Sequence, residues 1–280
     1  MLKGAIAAAL TPLRDGAVDE DAFAPYADFL VAGGLDGMLA LGTTGEGMLF
    51  SPSERRRVAE LYVDACRGRL QVAVNAGAQS TTDTVALAEH AASTGADAVA
   101  VIPPPYFPLD DESVFRHLAA SAQACAPTPF YVYEFARASG YAVSSSVLRR
   151  LRAAAPNLAG MKVSDTPYEQ FEPYLREGLE VFVGPEAFIG RGLAGGAVGA
   201  VSALASAFPE QVVRAVRERS DELVSLRETV ERFPRHAALK LVAARRGVPI
   251  EPEVRAPLRL LDRAEQSALF DALAPWLEDQ

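Results

Sequence analysis

Short apolar runs recur along the chain at residues 5–10, 37–41, 71–75, 98–102, 129–133, 158–162, 180–183 and 197–202. Each has four to six residues with little polar alternation, the pattern of strands buried on both faces of a parallel sheet. Longer stretches between them carry apolar residues at helical spacing, such as Phe23, Tyr26, Ala27 and Leu30, or Val58, Leu61, Tyr62 and Ala65. Eight strands alternating with helices predict an α/β fold, a (β/α)8 TIM barrel.

Helix starts support this phase. Ser51-Pro52-Ser53-Glu54 offers a capping serine, a proline in the first turn and a glutamate three residues on. Thr166-Pro167-Tyr168-Glu169 repeats the design after the sixth strand, and Ser80-Thr81-Thr82-Asp83 is a weaker version. The apolar runs stop at Ser202. Residues 209–220 read as the eighth barrel helix, and 221–233, 235–246 and 264–277 as three more, with Pro249, Pro252 and Pro257 between the last two. Three helices without strands do not extend a closed barrel. The expectation is a barrel over residues 1–220 and a C-terminal three-helix extension over 221–280, covering barrel helices or packing on another subunit.

Composition narrows the function. Half of the 280 residues are apolar and 22% are charged, as in a soluble globular enzyme and unlike disorder, collagen or coiled coil. A net charge of −9 argues against nucleic acid and against a polybasic membrane patch. No run reaches the ~18 apolar residues of a membrane span, and residues 5–10 are too short for a signal segment. A cytoplasmic protein is expected. Cys66 and Cys125 are then two buried free thiols of a reducing compartment rather than a disulfide.

In such barrels the chemistry sits at the carboxyl ends of the strands. The polar residues there are Thr43, Thr44 and Glu46 after the second strand, Tyr106 after the fourth, and Tyr133 and Glu134 at the fifth. Lys162 and Ser164 end the sixth, Glu186 follows the seventh, and Ser202 ends the eighth. Lys162 stands out because only three of the 27 basic residues are lysine: Lys3, Lys162 and Lys240. A lysine at an apolar strand end, in a chain that otherwise uses arginine, suggests a primary amine for Schiff-base formation, which arginine cannot perform. That chemistry needs the neutral amine, hence a pKa brought down from the ordinary ~10.4 by burial. The competing reading is a lysine reaching from a strand end to solvent, and position alone does not separate the two.

Strand alternation puts Tyr131 and Tyr133 on one face and Phe130 and Val132 on the other. A phenol beside a lysine-derived imine can shuttle protons; without Lys162 one strand away, Tyr133 reads as a core aromatic. Gly42-Thr43-Thr44-Gly45-Glu46-Gly47 matches neither nucleotide fingerprint. Its backbone amides and hydroxyls suit a small carboxylate, unless the loop is simply a tight turn. His90, His117 and His236 lie on helical segments without ligand spacing, so packing or surface roles are expected and no metal.

Together, Gly42-Thr43-Thr44-Gly45-Glu46, the tyrosine ending strand five and Gly160-Met161-Lys162 resemble the dihydrodipicolinate synthase/N-acetylneuraminate lyase family of class I aldolases. The likeness extends to Leu10-Thr11-Pro12, Pro104-Pro105-Tyr106, Gly199-Ala200-Val201-Ser202, Leu239-Lys240 and Arg255-Ala256-Pro257-Leu258. The resemblance implies an imine between Lys162 and pyruvate or a pyruvyl group, a proton shuttle at Tyr133 assisted by Thr44, and carboxylate binding by Thr43 and Thr44. It extends the substrate-binding set to Glu134, Arg137, Ser164, Gly184, Glu186, Val201 and Ser202, with Tyr106 and Phe107 as cross-subunit candidates. It also implies a homotetramer built as a dimer of dimers, with no cofactor.

Departures from the lysine-biosynthesis branch bear on substrate. That branch follows the tyrosine with Asn, where this chain has Glu134. It places an arginine two residues before a glycine, where Ala138 stands before Gly140 with Arg137 one position off. Phe107 replaces its cross-dimer tyrosine, and Ser53 and Arg56 occupy its feedback positions. The phenylalanine after Tyr106 resembles the sugar-acid aldolases and lyases instead, and Glu134 is expected to meet a polyhydroxylated or cationic substrate. The reading is a lyase cleaving or forming a 2-keto-3-deoxy sugar acid. Dihydrodipicolinate synthesis, dehydration of a 2-keto-3-deoxy acid and a non-catalytic ligand-binding barrel are the alternatives.

Overall fold

The computed structural model describes residues 2–277. In chain order the strands are β1 (Gly4–Ala8), β2 (Leu13–Arg14), β3 (Ala17–Val18), β4 (Gly37–Ala40), β5 (Gln71–Asn75) and β6 (Ala98–Val101). They continue with β7 (Phe130–Glu134), β8 (Leu158–Val163), β9 (Glu180–Val183) and β10 (Gly199–Ser202). The helices are α1 (Phe23–Ala32), α2 (Pro52–Cys66), α3 (Thr81–Ser93), α4 (Asp111–Cys125), α5 (Ala136–Ser139) and α6 (Ser145–Ala154). After them come α7 (Tyr168–Phe171), α8 (Ile189–Ala194), α9 (Pro209–Glu218), α10 (Val224–Glu231), α11 (Arg235–Arg245) and α12 (Arg263–Leu277).

Eight parallel strands close in the order β1-β4-β5-β6-β7-β8-β9-β10, a (β/α)8 TIM barrel on the eight runs read from the sequence. The hairpin β2–β3 is an addition that the apolar pattern does not show. Its turn, Asp15-Gly16, has positive φ at both residues, the geometry that Asp-Gly favours between two strands.

Alternation divides each strand between two cores. Ile6, Ala8, Leu39, Ala73, Ala98, Ala100, Tyr131, Phe182 and Val201 fill the barrel interior. Their neighbours, such as Phe130, Val132, Met161 and Val181, join the larger core between strands and helices. Four alanines leave interior room for the Tyr131 and Phe182 rings, whose centroids lie 5.9 Å apart, edge to face. Gly160 is part of that fit: a Cβ there would lie 2.8 Å from Tyr131 Cε1 and 2.2 Å from the Glu180 carbonyl oxygen.

The capping box at α2 forms as expected, with Ser51 Oγ accepting from Glu54 N and the Glu54 carboxylate accepting from Ser51 N. Ser80 caps α3 in the same way, accepting from Asp83 N. The design expected at Thr166 does not form. The helix starts one residue later, so the cap position falls on Pro167, which has no side-chain acceptor. Cys66 and Cys125 are free and buried, and burial pushes their thiols up to about 12 and about 11.

α10, α11 and α12 form at the expected places. α12 packs on α10, and the Gln211 amide of α9 donates to the Trp276 carbonyl at 3.4 Å. α10 lies against the segment after β9, and α11 against the one after β10. The extension therefore reaches the carboxyl ends of two barrel strands, beyond the barrel helices expected from the sequence. Among the described residues no helix is long and apolar enough to cross a membrane.

Ser51→Ala removes the α2 cap far from the interior core. The variant is expected to lose about 1 kcal/mol of stability, measured as a lower urea midpoint with an unchanged transition slope. An unchanged midpoint would show that the cap is not stabilising.

Candidate active site

β7 and β8 build the centre of the site. Phe130 pairs with Leu158, the register then shifts by one residue, and Tyr131 pairs with Gly160 and Tyr133 with Lys162. Both side chains consequently project to the same side, at the strand ends. Lys162 Nζ stands 3.8 Å above the centroid of the Tyr133 ring, and both residues are more than nine-tenths buried. Burial raises the Tyr133 pKa, but the Lys162 ammonium, with the Thr43 and Ser164 hydroxyls, outweighs it and the net direction is downward.

The loop after β4 supplies the hydroxyls. Thr43 Oγ1 is 3.1 Å from the Tyr133 hydroxyl, and either atom can donate. Thr44 is buried and lines the same cleft. The hydroxyl in contact with Tyr133 is thus that of Thr43, whereas the resemblance put Thr44 beside the catalytic pair. Leu41 and Glu46 bracket the loop with φ of 57° and 59°, a region that side-chain-bearing residues adopt only when their surroundings impose it.

Thr43, Thr44, Tyr133 and Lys162 open into a cleft of about 340 Å³. Arg137, Ser164, Gly184, Glu186 and Val201 also line it. Gly184 has no room for a side chain, because a Cβ would lie 2.3 Å from Ser164 Oγ. Glu186 is fully buried: its Oε1 accepts from Ser202 Oγ at 2.7 Å and from Leu204 N at 3.2 Å, and its Oε2 meets Arg227 Nη1 at 2.6 Å.

Four expected residues lie outside this lining. Ser202 is outside the lining because alternation turns Val201 inward and Ser202 toward Glu186, which it supports. Tyr106 and Phe107 are 84% and 64% exposed, stacked edge to face on each other with centroids 4.9 Å apart, and do not line this chain's own cleft. Glu134 is the clear correction. It follows Tyr133 by one residue, so the pleat carries its carboxyl to the outer side of the strand, where it is fully buried and accepts from Val143 N at 3.0 Å. It cannot meet a substrate in the cleft. Burial, with Asp165 beside it, pushes its pKa up to about 9. Asp165 in turn accepts from Ala136 N at 2.8 Å, at the start of the short helix that carries Arg137.

The extension adds lining that sequence reasoning missed: Arg227, Glu228, Glu231 and Arg235. Arg227 spans Glu186 and, at 2.5 Å, Glu231, while Arg235 is 3.5 Å from Glu231. Burial opposes the Arg227 charge, yet Glu186 and Glu231 outweigh it and hold its pKa above the ordinary value. The available signal was the four-residue spacing of Arg227 and Glu231, which puts opposite charges on one side of α10, with Arg235 opening the next helix. Among the described residues, no group of three or more His, Cys, Asp or Glu could hold a metal ion.

Fold and cleft together define a barrel enzyme whose site gathers at the strand carboxyl ends. The sequence model of the dihydrodipicolinate synthetase family matches residues 1–275, and the chain belongs to that family, whose members are lyases. A DapA-like lyase of Halobacterium salinarum is 37% identical over 273 residues, covering 93% of this chain and 89% of the relative. The 4-hydroxy-tetrahydrodipicolinate synthase of Phenylobacterium zucineum is 36% identical over 214 residues, covering 75% and 72%. Among solved structures, dihydrodipicolinate synthase of Aquifex aeolicus superposes with a TM-score of 0.91 at 25% identity, covering 98% of both chains. N-acetylneuraminate lyase of Proteus mirabilis gives 0.88 at 29%, covering 99% of both.

Glu134 makes stability depend on pH in a known direction. The folded chain keeps it protonated up to about pH 9, whereas an unfolded glutamate releases its proton near ~4.3. Between those values the unfolded state binds fewer protons, so this group's contribution falls as pH rises and is lost through pH 9. Glu134→Gln is isosteric and cannot ionise. Its thermal midpoint should match wild type near pH 4 and exceed it increasingly toward pH 9; a constant offset across that range would refute the buried-carboxyl assignment.

Proposed function

We propose that this protein is a pyruvate-dependent class I lyase that cleaves or forms a 2-keto-3-deoxy sugar acid, or a related hydroxylated 2-keto acid, through a Schiff base on Lys162. The observation carrying this reading is the buried contact of Lys162 Nζ with the Tyr133 ring, whose hydroxyl meets Thr43 Oγ1 at 3.1 Å.

In this reading Lys162 Nζ attacks the C2 carbonyl carbon, and the carbinolamine loses its oxygen as water to give an iminium. Cleavage breaks C3–C4: its electron pair moves toward the iminium to form an enamine, while the C4 hydroxyl gives its proton to Tyr133 and leaves as an aldehyde. Protonation at C3 and hydrolysis of the imine release pyruvate and free the lysine. Thr43 passes protons to and from Tyr133, and the loop amides with Thr44 hold the carboxylate. No cofactor is required for these steps.

The outer cleft supports a hydroxylated substrate chain. Arg137, Arg227 and Arg235 face it together with Glu186, Glu228 and Glu231, a mixture of donors and acceptors suited to successive hydroxyl groups. The reading extends to a cytoplasmic homotetramer, a dimer of dimers. Met48, Leu49, Tyr106 and Phe107, all large apolar residues left exposed in one chain, support burial against a partner.

One observation favours a second reading. Arg137 lines the cleft, whereas Ala138 faces a neighbouring apolar pocket, so an arginine is available to anchor a charged semialdehyde. A coupled assay with pyruvate and aspartate semialdehyde separates the readings: efficient condensation that is lost in Arg137→Ala would establish synthase activity. A screen of 2-keto-3-deoxy acids tests the first reading directly.

Pyruvate with borohydride should add one reduced pyruvyl group at Lys162, and Lys162→Ala should be folded and inactive. Peptide mapping that finds the adduct on Lys3 or Lys240, or no adduct, would remove the Schiff-base assignment. Tyr133→Phe should lower kcat by about 10²–10⁴-fold, the scale of a lost acid–base group; turnover near wild type would give the proton relay to another residue.

A further inference from the structure

The loop carrying Thr43 and Thr44 is held by side chains from outside it at almost every second residue. Asn75 Nδ2 donates to the Leu41 carbonyl at 2.9 Å, and Thr11 Oγ1 to the Gly45 carbonyl at 2.7 Å. These two anchors come from the barrel. The other two come from one face of α11. His236 Nε2 lies 3.0 Å from the carbonyl oxygen of Thr43. Because a carbonyl only accepts, the ring donates there from Nε2. Four residues on, and so on the same helical face, Lys240 Nζ lies 2.7 Å from Glu46 Oε1. Both side chains are fully buried, and Glu46 Oε1 has no hydrogen bond elsewhere among the described residues.

The far side of the same carboxylate is also engaged. Glu46 Oε2 accepts from Arg255 N at 2.6 Å, and Lys240 donates to the Glu253 carbonyl at 2.6 Å. A fully buried lysine and glutamate, each with a single charged partner, are hard to explain as packing, since a buried pair is seldom better than apolar side chains of the same volume. Such a pair does set a unique geometry. Here the geometry it sets is that of Glu46, at left-handed φ, three residues from the hydroxyl that touches Tyr133.

We propose that the His236–Lys240 face of α11 is the positioning device of the carboxylate-binding loop, so that the C-terminal extension sets the Thr43–Tyr133 contact from behind. His236 and Lys240 touch no reacting atom. They fix the Thr43 carbonyl and the Glu46 carboxylate, and the Thr43 hydroxyl follows. This rests on the Schiff-base reading of the cleft for its consequence in catalysis, but the fastening itself is a property of the loop.

The test uses the full-length protein as wild type, His236→Ala, His236→Gln, and the double variant Lys240→Met/Glu46→Gln, which removes both buried charges together. Amide hydrogen exchange over residues 41–47 is measured beside pyruvate KM and kcat, with borohydride trapping of pyruvate on the wild type as the control. His236→Ala is expected to speed exchange in that loop alone and to lower kcat/KM by about tenfold, the scale of one lost hydrogen bond, without a matching drop in thermal midpoint. His236→Gln, whose amide can donate to the same carbonyl, should return both readouts to near wild type, and the double variant should loosen the loop as His236→Ala does. Unchanged loop exchange in His236→Ala and the double variant overturns the fastening, whatever the chemistry. A loosened loop with unchanged kcat/KM, or a loss that glutamine does not restore, overturns the positioning role. Absence of trapping in the wild type overturns the Schiff-base reading and the catalytic half of this inference, while the exchange data still decide the fastening.

Discussion

The pairing of β7 with β8 is the constraint on which the site depends. Side chains alternate across a strand, so a one-residue slip would send Tyr133 or Lys162 to the outer side. Phe130 opposes Leu158, yet Tyr131 opposes Gly160, and the shift between them leaves Ala159 as the extra residue. Without it Tyr133 would stand beside Met161. Gly160 gives the Tyr131 ring the space a Cβ would occupy, and the Tyr131 hydroxyl donates to Glu180 at 2.8 Å on the next strand. The deeper aromatic thereby holds the phase in which the outer tyrosine and the lysine meet.

Charges around this centre are arranged in two shells with opposite tasks. At the cleft, charged side chains pair directly with one another: Arg227 with Glu186 and Glu231, and Arg235 with Glu231. They leave a polar wall. Behind β7, Glu134 and Asp165 are shut away from solvent, and there desolvation keeps a carboxyl protonated. The same residue type thus pairs with an arginine at Glu186 and is a neutral hydrogen-bonding group at Glu134. Both are buried, and the neighbours differ: Arg227 at the one, Asp165 at the other.

The extension joins these shells to the loop after β4. α10 contributes Arg227 and Glu231 to the cleft, and α11 contributes Arg235 before turning His236 and Lys240 to the loop. Removing one partner of a buried ion pair typically costs about 3–5 kcal/mol, so the Lys240–Glu46 contact ties the integrity of the extension to that of the barrel mouth. A stretch that carries no barrel strand is in this way part of the site's construction.

The eight strand runs, the three later helices, the α2 cap and the lysine at the end of β8 were legible in the sequence, because each is a local pattern: a period, a cap motif, a rare residue type at a strand end. Tyr133 was legible for the same reason, since the period of two fixes which side of the strand it takes relative to Tyr131. That same period, applied one residue further, turns Glu134 and Ser202 away from the cleft, although their place beside the motif residues points into it. The hairpin at Asp15-Gly16 was written in a turn dipeptide flanked by only two residues of strand on each side, too short for a periodic signal. What no local pattern holds is the β7–β8 shift, the choice of Thr43 over Thr44 for the Tyr133 contact, the placing of Arg227 and Arg235 at the cleft, and the return of His236 and Lys240 to a loop nearly two hundred residues earlier. Those depend on side-chain volumes and on how the closed barrel places distant segments, and only the tertiary structure brings the atoms to hydrogen-bonding distance.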